Sequence, residues 1–437
     1  MAKISEILFS IIENKLTPIA AKISNQRHII ALRDGFIAAM PFLIVGSFML
    51  IFAHPPFDEN TSSTFGRMWL GFAKRYSEEL LMPFNMTMGL MSIFITGAIA
   101  YNLAQMYKLS AYMASCLAVM SFLLVSAPVS NSTLSVTYLS GEGIFTGILV
   151  AIYCTELMYF LKRKDLGFKL PEQVPSKIRE SFDLLIPVLV IFLTLYPISI
   201  FFQHYLNMLI PQAIMSVFAP LISASDSLPA ILIAVLLVHL LWFAGIHGAA
   251  VVGGILQVFY ITNLSSNQSA LNAGLPIEHI FVESFWSFFI VLGGSGATLG
   301  LALLYWRSRS VHLKTVGRLG LVPGFFNINE PLIFGSPIIM NPIMFIPFIG
   351  APLINATIAW SATKLGWVNH VVSLAPWTTP APVGAAWATG WDYRAVILVV
   401  ALTVISMVVY YPFFKLYEKQ LLAQEKQAVE EESRNNG

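Results

Sequence analysis

Runs of about 20 mostly apolar residues, the length that carries a helix across hydrocarbon, recur along this chain and leave few folds open to it. They fall at approximately 29–52, 86–107, 110–130, 143–161, 183–203, 229–246, 284–306, 337–360 and 393–414. A soluble protein that buried so much apolar chain would still need a charged skin. Only 11% of the 437 residues are charged and 57% are hydrophobic, whereas soluble domains are about a quarter charged. The chain reads as an all-α integral membrane protein. Further apolar stretches around 208–223, 248–262, 320–335 and 365–388 are interrupted by Gly, Pro or polar groups and read as too broken for continuous spans. In lipid, irregular backbone survives only where protein packs on it or it lines a wet cavity. Those broken stretches are the first place to look for a substrate site.

Residues 1–28 alternate apolar positions such as Ile7, Leu8, Ile11 and Ile12 with Lys3, Lys15, Lys22 and Arg27. That pattern is an amphipathic surface helix, not a cleavable signal. Short cationic clusters set orientation: Lys162, Arg163 and Lys164; Lys169, Lys177 and Arg179; Arg307, Arg309, Lys314 and Arg318; Lys415 and Lys419. We place all of them, and both termini, in the cytoplasm, which requires an even number of spans; about ten is the expectation. Polar, Pro-containing DLGFKLPEQVPSKIRE at 165–180 reads as a cytoplasmic connection between bundles. The tail, 416–437, reads as a short exposed polar helix that frays.

Three segments carry the chemistry. In WFAGIHGA, Trp242 to Ala249, a histidine, His247, sits between glycines in an apolar run. An ionisable group at that depth is costly unless it meets a cavity or partner; a packed structural His is the alternative. In PGFFNINEPLIFGSPIIMNP, Pro323 to Pro342, the groups Asn327, Asn329 and Glu330 lie together, followed by Pro331, Gly335 and Pro337. Pro331 pushes Glu330 toward extended backbone, so the segment is expected to enter the membrane, turn, and expose polar groups. Amides and a carboxylate suit sugar hydroxyls, which both donate and accept. A structural turn with a paired Glu is the alternative. In APWTTPAPVGAAW, Ala375 to Trp387, Trp377 suits a stacking platform for a sugar face or an interfacial belt position.

Other chemistries find no support. GGSGATLG, Gly293 to Gly300, lacks the Gly-Lys-Ser/Thr of a phosphate loop, and Gly296 and Gly300 read as helix-packing residues. No HExxH or G-x-S-x-G occurs. His239 and His247 have no carboxylate ligand beside them, so no metal and no cofactor are expected. Cys116 and Cys154 lie in apolar runs and form no CxxC. A net charge of +2 implies no nucleic-acid surface.

WFAGIHG, LGGSGATLGL, FNINEPLIFGSPIIMNPIMFIPF and APWTTP, in this order, with NMTMGLMSIF at 85–94 and KLPEQVPSKIRESF at 169–182, resemble the membrane component (IIC) of the bacterial sugar phosphotransferase system. The similarity covers nearly the whole chain and is strongest to its lactose, cellobiose and N,N′-diacetylchitobiose class. The resemblance implies a homodimer in the bacterial inner membrane. It implies an N-terminal transmembrane bundle with the dimer interface, here 29–205, and a C-terminal sugar-binding region, here 206–415, with two re-entrant hairpins. By that resemblance Glu330 holds the hydroxyl that is phosphorylated, and His247 positions that hydroxyl or the incoming phosphoryl group. Asn329, Asn327, Trp377 and Trp242 would complete the substrate-binding set. The sugar-binding region would shift to present the sugar inside. The phosphoryl donor would be a separate IIB protein, itself charged by IIA, docking on the basic loops, because this chain offers no complete catalytic apparatus. Two rivals are an ion-coupled secondary sugar transporter using Glu330 and His247 as a relay, and an intramembrane enzyme using them as an acid–base pair.

Overall fold

The computed structural model describes residues 25–130, 132–167, 184–336 and 338–435, with isolated positions at 18, 22, 171, 173–175 and 182. Most of the expected amphipathic N-terminal helix and of the 165–180 connection lies outside the described residues; Arg27 and His28 open the first long helix. Two compact units emerge. One comprises 23–225 and 253–276, the other 1–22, 226–252 and 277–437. The division therefore falls at Asp226 and returns 253–276 to the first unit, whereas the expected boundary was at 205/206.

In the first unit, α1 (Arg27–Ala53), α2 (Thr64–Arg75), α3 (Ser77–Thr87), α4 (Met91–Met106), α5 (Ala111–Ser126), α6 (Ile144–Arg163), α7 (Leu185–Tyr205) and α8 (Ile210–Ser225) follow one another. A two-residue antiparallel pair, Val129–Ser130 with Thr133–Leu134, joins α5 to the approach of α6. Without a hydrophobic drive between helices in lipid, small residues govern their approach. A Cβ on Gly35 would lie 2.5 Å from Ile99, on Gly46 2.0 Å from Thr87, and on Gly147 2.2 Å from Thr96.

The second unit begins with α9 (Leu228–Phe243). Next, α10 (Gly248–Asn272) runs on into the first unit; it is continuous where the sequence read as interrupted. Its internal Gly254 is tolerated because a Cβ there would come within 3.3 Å of Arg33 on α1. The expected span at 284–306 is, by contrast, broken. Glu283–Phe285 passes into a π-helical turn, Trp286–Ile290. The backbone then turns through Gly293, Gly294, Gly296 and Ala297, all at positive φ, before α11 (Leu299–Trp306). α12 (Val311–Phe325), α13 (Glu330–Gly335), α14 (Pro342–Lys364), α15 (Ala381–Ala388) and α16 (Tyr393–Asn435) complete the chain.

Among the described residues seven helices are long and apolar enough to cross a membrane, or eight if α8 and α9, bent by 77°, form one span. α5 is too short to be counted among them, and 284–306 is divided. The tail also differs from expectation. It continues α16 without a break, and Tyr417 and Glu418 are buried. Gly300 does pack helix on helix: a Cβ there would sit 2.7 Å from the Met407 backbone nitrogen on α16. Because backbone cannot swing aside as a side chain can, Gly300→Leu is expected to cost about 1–3 kcal/mol of stability. A lowered melting temperature of the purified protein checks this.

Candidate functional site

Four interruptions in the helices of the second unit supply its polar groups: 242–248, 293–298, 326–330 and 375–380. Each is built from local capping rules. α9 ends in a Schellman motif. Gly245 sits at φ +80°, its N–H donating to the Trp242 carbonyl at 3.0 Å and that of Ile246 to the Leu241 carbonyl at 2.9 Å. His247 then caps α10, its Nδ1 accepting the Ala250 N–H at 3.0 Å. Because Nδ1 accepts, the neutral ring carries its proton on Nε2. The imidazole packs on the Trp242 indole at 4.4 Å and is exposed, while Trp242 itself is buried. His247 thus offers an N–H donor away from its own helix.

α12 ends the same way, with Asn327 in the left-handed position at φ +62°. The Asn327 N–H donates to the Gly324 carbonyl and the Ile328 N–H to the Pro323 carbonyl, both at 3.0 Å. The Asn327 side chain is spent on the scaffold. Its Oδ1 accepts the Gly293 N–H at 2.9 Å, and its Nδ2 donates to the carbonyls of Trp377 at 2.8 Å and Thr379 at 3.2 Å. Asn329 does similar work: its Nδ2 donates to the Ser295 carbonyl at 2.6 Å and to Thr298 Oγ1 at 2.8 Å. The two amides bind the glycine turn and the Trp377 loop to the 326–330 turn. Both amides thus serve buried irregular backbone, which must find partners.

Glu330 is different. It opens α13, is exposed, and has no hydrogen bond or ion pair among the described residues. Beyond α13 the chain returns to the His247 turn, where the Met340 N–H donates to the Phe243 carbonyl at 3.2 Å. Trp242, Leu332, Ile333 and Ile338 share one apolar cluster. The chain that follows α13 is thus bonded to the end of α9 just before the His247 turn, and α13 shares an apolar cluster with Trp242. The Trp377 loop is tied in through Asn327, its indole 48% exposed.

Beyond these, two carboxylates that sequence reading passed over organise a basic rim. Glu418, only 4% exposed, accepts from the Ser308 hydroxyl at 2.7 Å, the Arg309 N–H at 2.8 Å and Lys415 Nζ at 2.7 Å. Glu425 accepts from the Ser310 hydroxyl at 2.7 Å and the His312 N–H at 3.1 Å. With both acids turned onto the 308–312 loop, the exposed charges there are Arg307, Arg309, Lys314, Arg318, Lys415 and Lys419. The two acids are two turns apart on α16, a spacing that could have drawn attention to them.

The family description "Phosphotransferase system, EIIC" matches residues 33–352. The putative permease IIC component YwbA of Bacillus subtilis is 34% identical over 97% of this chain and 98% of its own. The cellobiose-specific EIIC component of Geobacillus stearothermophilus is 35% identical over 95% of each. A lactose-specific EIICB component of Staphylococcus aureus is 31% identical over 95% of this chain but 73% of its own. Among solved structures, the transporter ChbC, the IIC component from the N,N′-diacetylchitobiose-specific phosphotransferase system, superposes with a TM-score of 0.88 at 34% identity, covering 95% of this chain and 99% of that one.

If the Asn327 amide holds the site together, Asn327→Gly should destabilise the protein although glycine favours this φ. The expected loss is about 1–3 kcal/mol, read as a lowered melting temperature; an unchanged one would show the amide bonds to be dispensable.

Proposed function

We propose that this chain, which belongs to the phosphotransferase system EIIC family, imports a β-linked disaccharide of the cellobiose or diacetylchitobiose type, holding it at Glu330 and His247 for phosphorylation by a IIB partner. It is a multi-pass membrane protein and a sugar permease component of that system. The observation that supports the site is a contrast within one turn. Asn327 and Asn329 spend their amides on the scaffold, while Glu330 stands exposed among groups it does not bond. The cellobiose-specific name of one relative and the diacetylchitobiose-specific title of the similar structure support the substrate class.

The two groups divide the chemistry. A sugar hydroxyl donates to the Glu330 carboxylate in a short charge-assisted bond, which raises electron density on its oxygen and gives its proton an acceptor. His247, with its proton on Nε2, is a donor and not a base. It steadies a sugar oxygen or the oxygens of the arriving phosphoryl group. The Trp377 indole offers a face for a sugar ring. Phosphoryl transfer needs alignment and relief of negative charge, and the donor group comes with the partner. Once phosphorylated, the sugar is an anion beside a carboxylate and leaves toward the cytoplasm.

The rim of Arg307, Arg309, Lys314 and Arg318 is the surface we assign to IIB, and it supports a cytoplasmic placement of both termini. The homodimer rests on the family resemblance. A relay of protons or sodium through Glu330 and His247 is the second reading; His247 Nδ1, engaged by the Ala250 N–H, argues against it.

Three outcomes are expected. Glu330→Gln should weaken disaccharide binding about ten- to a hundredfold, the loss of a hydrogen bond to a charged group, and should abolish sugar phosphorylation with the fold intact. Isothermal titration and a phosphorylation assay with charged IIB check both, and full activity would remove Glu330 from the site. His247→Gln, whose amide nitrogen can still donate, should bind sugar within several-fold of wild type, whereas His247→Leu should not. Lys314→Glu with Arg318→Glu should raise the KM for charged IIB while the sugar Kd stays constant. A change in the sugar Kd instead would place the rim outside the docking surface.

A further inference from the structure

His239 lies one helical turn before Trp242 on α9 and is completely buried, flanked by Trp286 at 6.3 Å and Phe348 at 5.6 Å between ring centroids. Its Nδ1 lies 2.7 Å from the Val235 carbonyl. A carbonyl only accepts, so Nδ1 carries the proton and Nε2 presents a lone pair. That Nε2 has no hydrogen-bond partner among the described residues, and neither does the buried indole N–H of Trp242. One turn therefore holds a buried acceptor and a buried donor, both unmet. Residues three apart share a helix face, with Cβ atoms about 5–6 Å apart. Side chains placed on one face in this way can converge on a shared partner atom at ordinary hydrogen-bond lengths. A hydroxyl has the complementary valence: it donates to Nε2 and accepts from the indole N–H. Buried polar atoms left unmet cost their full desolvation, and a pair of opposite sense calls for an occupant.

We propose that His239 and Trp242 form a buried subsite for one hydroxyl oxygen, supplied by the sugar or by an ordered water, beneath the His247 ring that rests on Trp242. The sugar source relies on the functional reading above; the water source does not. Either way His239 is a positioning residue. It fixes the oxygen, the oxygen fixes the Trp242 indole, and the indole supports the imidazole at 4.4 Å. Asn327 and Asn329 are engaged elsewhere, and Tyr410 donates to the Gly296 carbonyl at 2.7 Å.

The test uses the full-length purified protein with Trp242→Phe, His239→Leu and His239→Gln, the last returning an acceptor near Nε2. Binding of the disaccharide and of its monodeoxy analogues is measured by titration, beside the melting temperature without sugar. A sugar hydroxyl as occupant predicts that Trp242→Phe and His239→Leu bind the parent sugar about tenfold more weakly, that His239→Gln recovers most of this, and that the defect vanishes for one deoxy analogue. Water as occupant predicts lower melting temperatures for the two apolar variants, recovery by His239→Gln, and an equal effect on every analogue. Should both apolar variants melt at or above the wild-type temperature and bind every sugar as wild type does, nothing occupies the pair and the proposal is overturned. If His239→Leu does not fold, Trp242→Phe decides on the same readings. A wild type that binds no disaccharide would refute the functional reading, and the melting temperatures would still decide the subsite.

Discussion

Every polar backbone group inside a bilayer must find its partner within the protein, and the amides of Asn327 and Asn329 meet that demand where the second unit breaks its helices. Three short loops meet at these two side chains: the glycine turn through the Gly293 N–H and the Ser295 carbonyl, the 326–330 turn itself, and the Trp377 loop through two carbonyls. Released from one another, those loops would carry unmet donors and acceptors into a greasy surround. Fastened together, they hold the turn from which Glu330 opens α13.

The same logic governs the helix ends. Schellman turns after Phe243 and Phe325 close two helices and hand the chain on in a new direction. The first delivers His247 as the cap of α10, which settles the side of the ring that holds the proton. The second delivers Asn329 and Glu330. The caps and the groups proposed to hold the sugar thus fall close together in the chain. Glu418 and Glu425 likewise clip the 308–312 loop to α16 and leave an outward face of one charge, a condition for steering a charged partner.

Much of this was legible in the sequence, for identifiable reasons. Long apolar runs announce helices, and α1, α4, α6, α7 and α14 lie where those runs placed them. Gly-His-Gly and Asn-Ile-Asn-Glu-Pro in apolar surroundings marked the breaks. Hydropathy misjudged what glycine does. Gly254 does not interrupt α10, where α1 packs close to it, whereas Gly293, Gly294 and Gly296 do divide 284–306, because each takes positive φ. Composition alone does not separate the two cases. Asn327 is legible only in part: its amide suits a sugar hydroxyl, and asparagine is also a residue that tolerates the left-handed cap, which is where it stands. Contacts distant in sequence, such as Glu418 with Ser308, leave no periodic trace.

A structure of the protein with its disaccharide bound tests the central claim most directly. The account predicts a sugar hydroxyl within hydrogen-bond distance of the Glu330 carboxylate and a sugar or phosphoryl-mimic oxygen on His247 Nε2, with Asn327 and Asn329 still joined to Gly293, Trp377, Ser295 and Thr298. A sugar lodged away from Glu330, or Glu330 found paired with a lysine or arginine while the sugar rests on the asparagine amides, would contradict it.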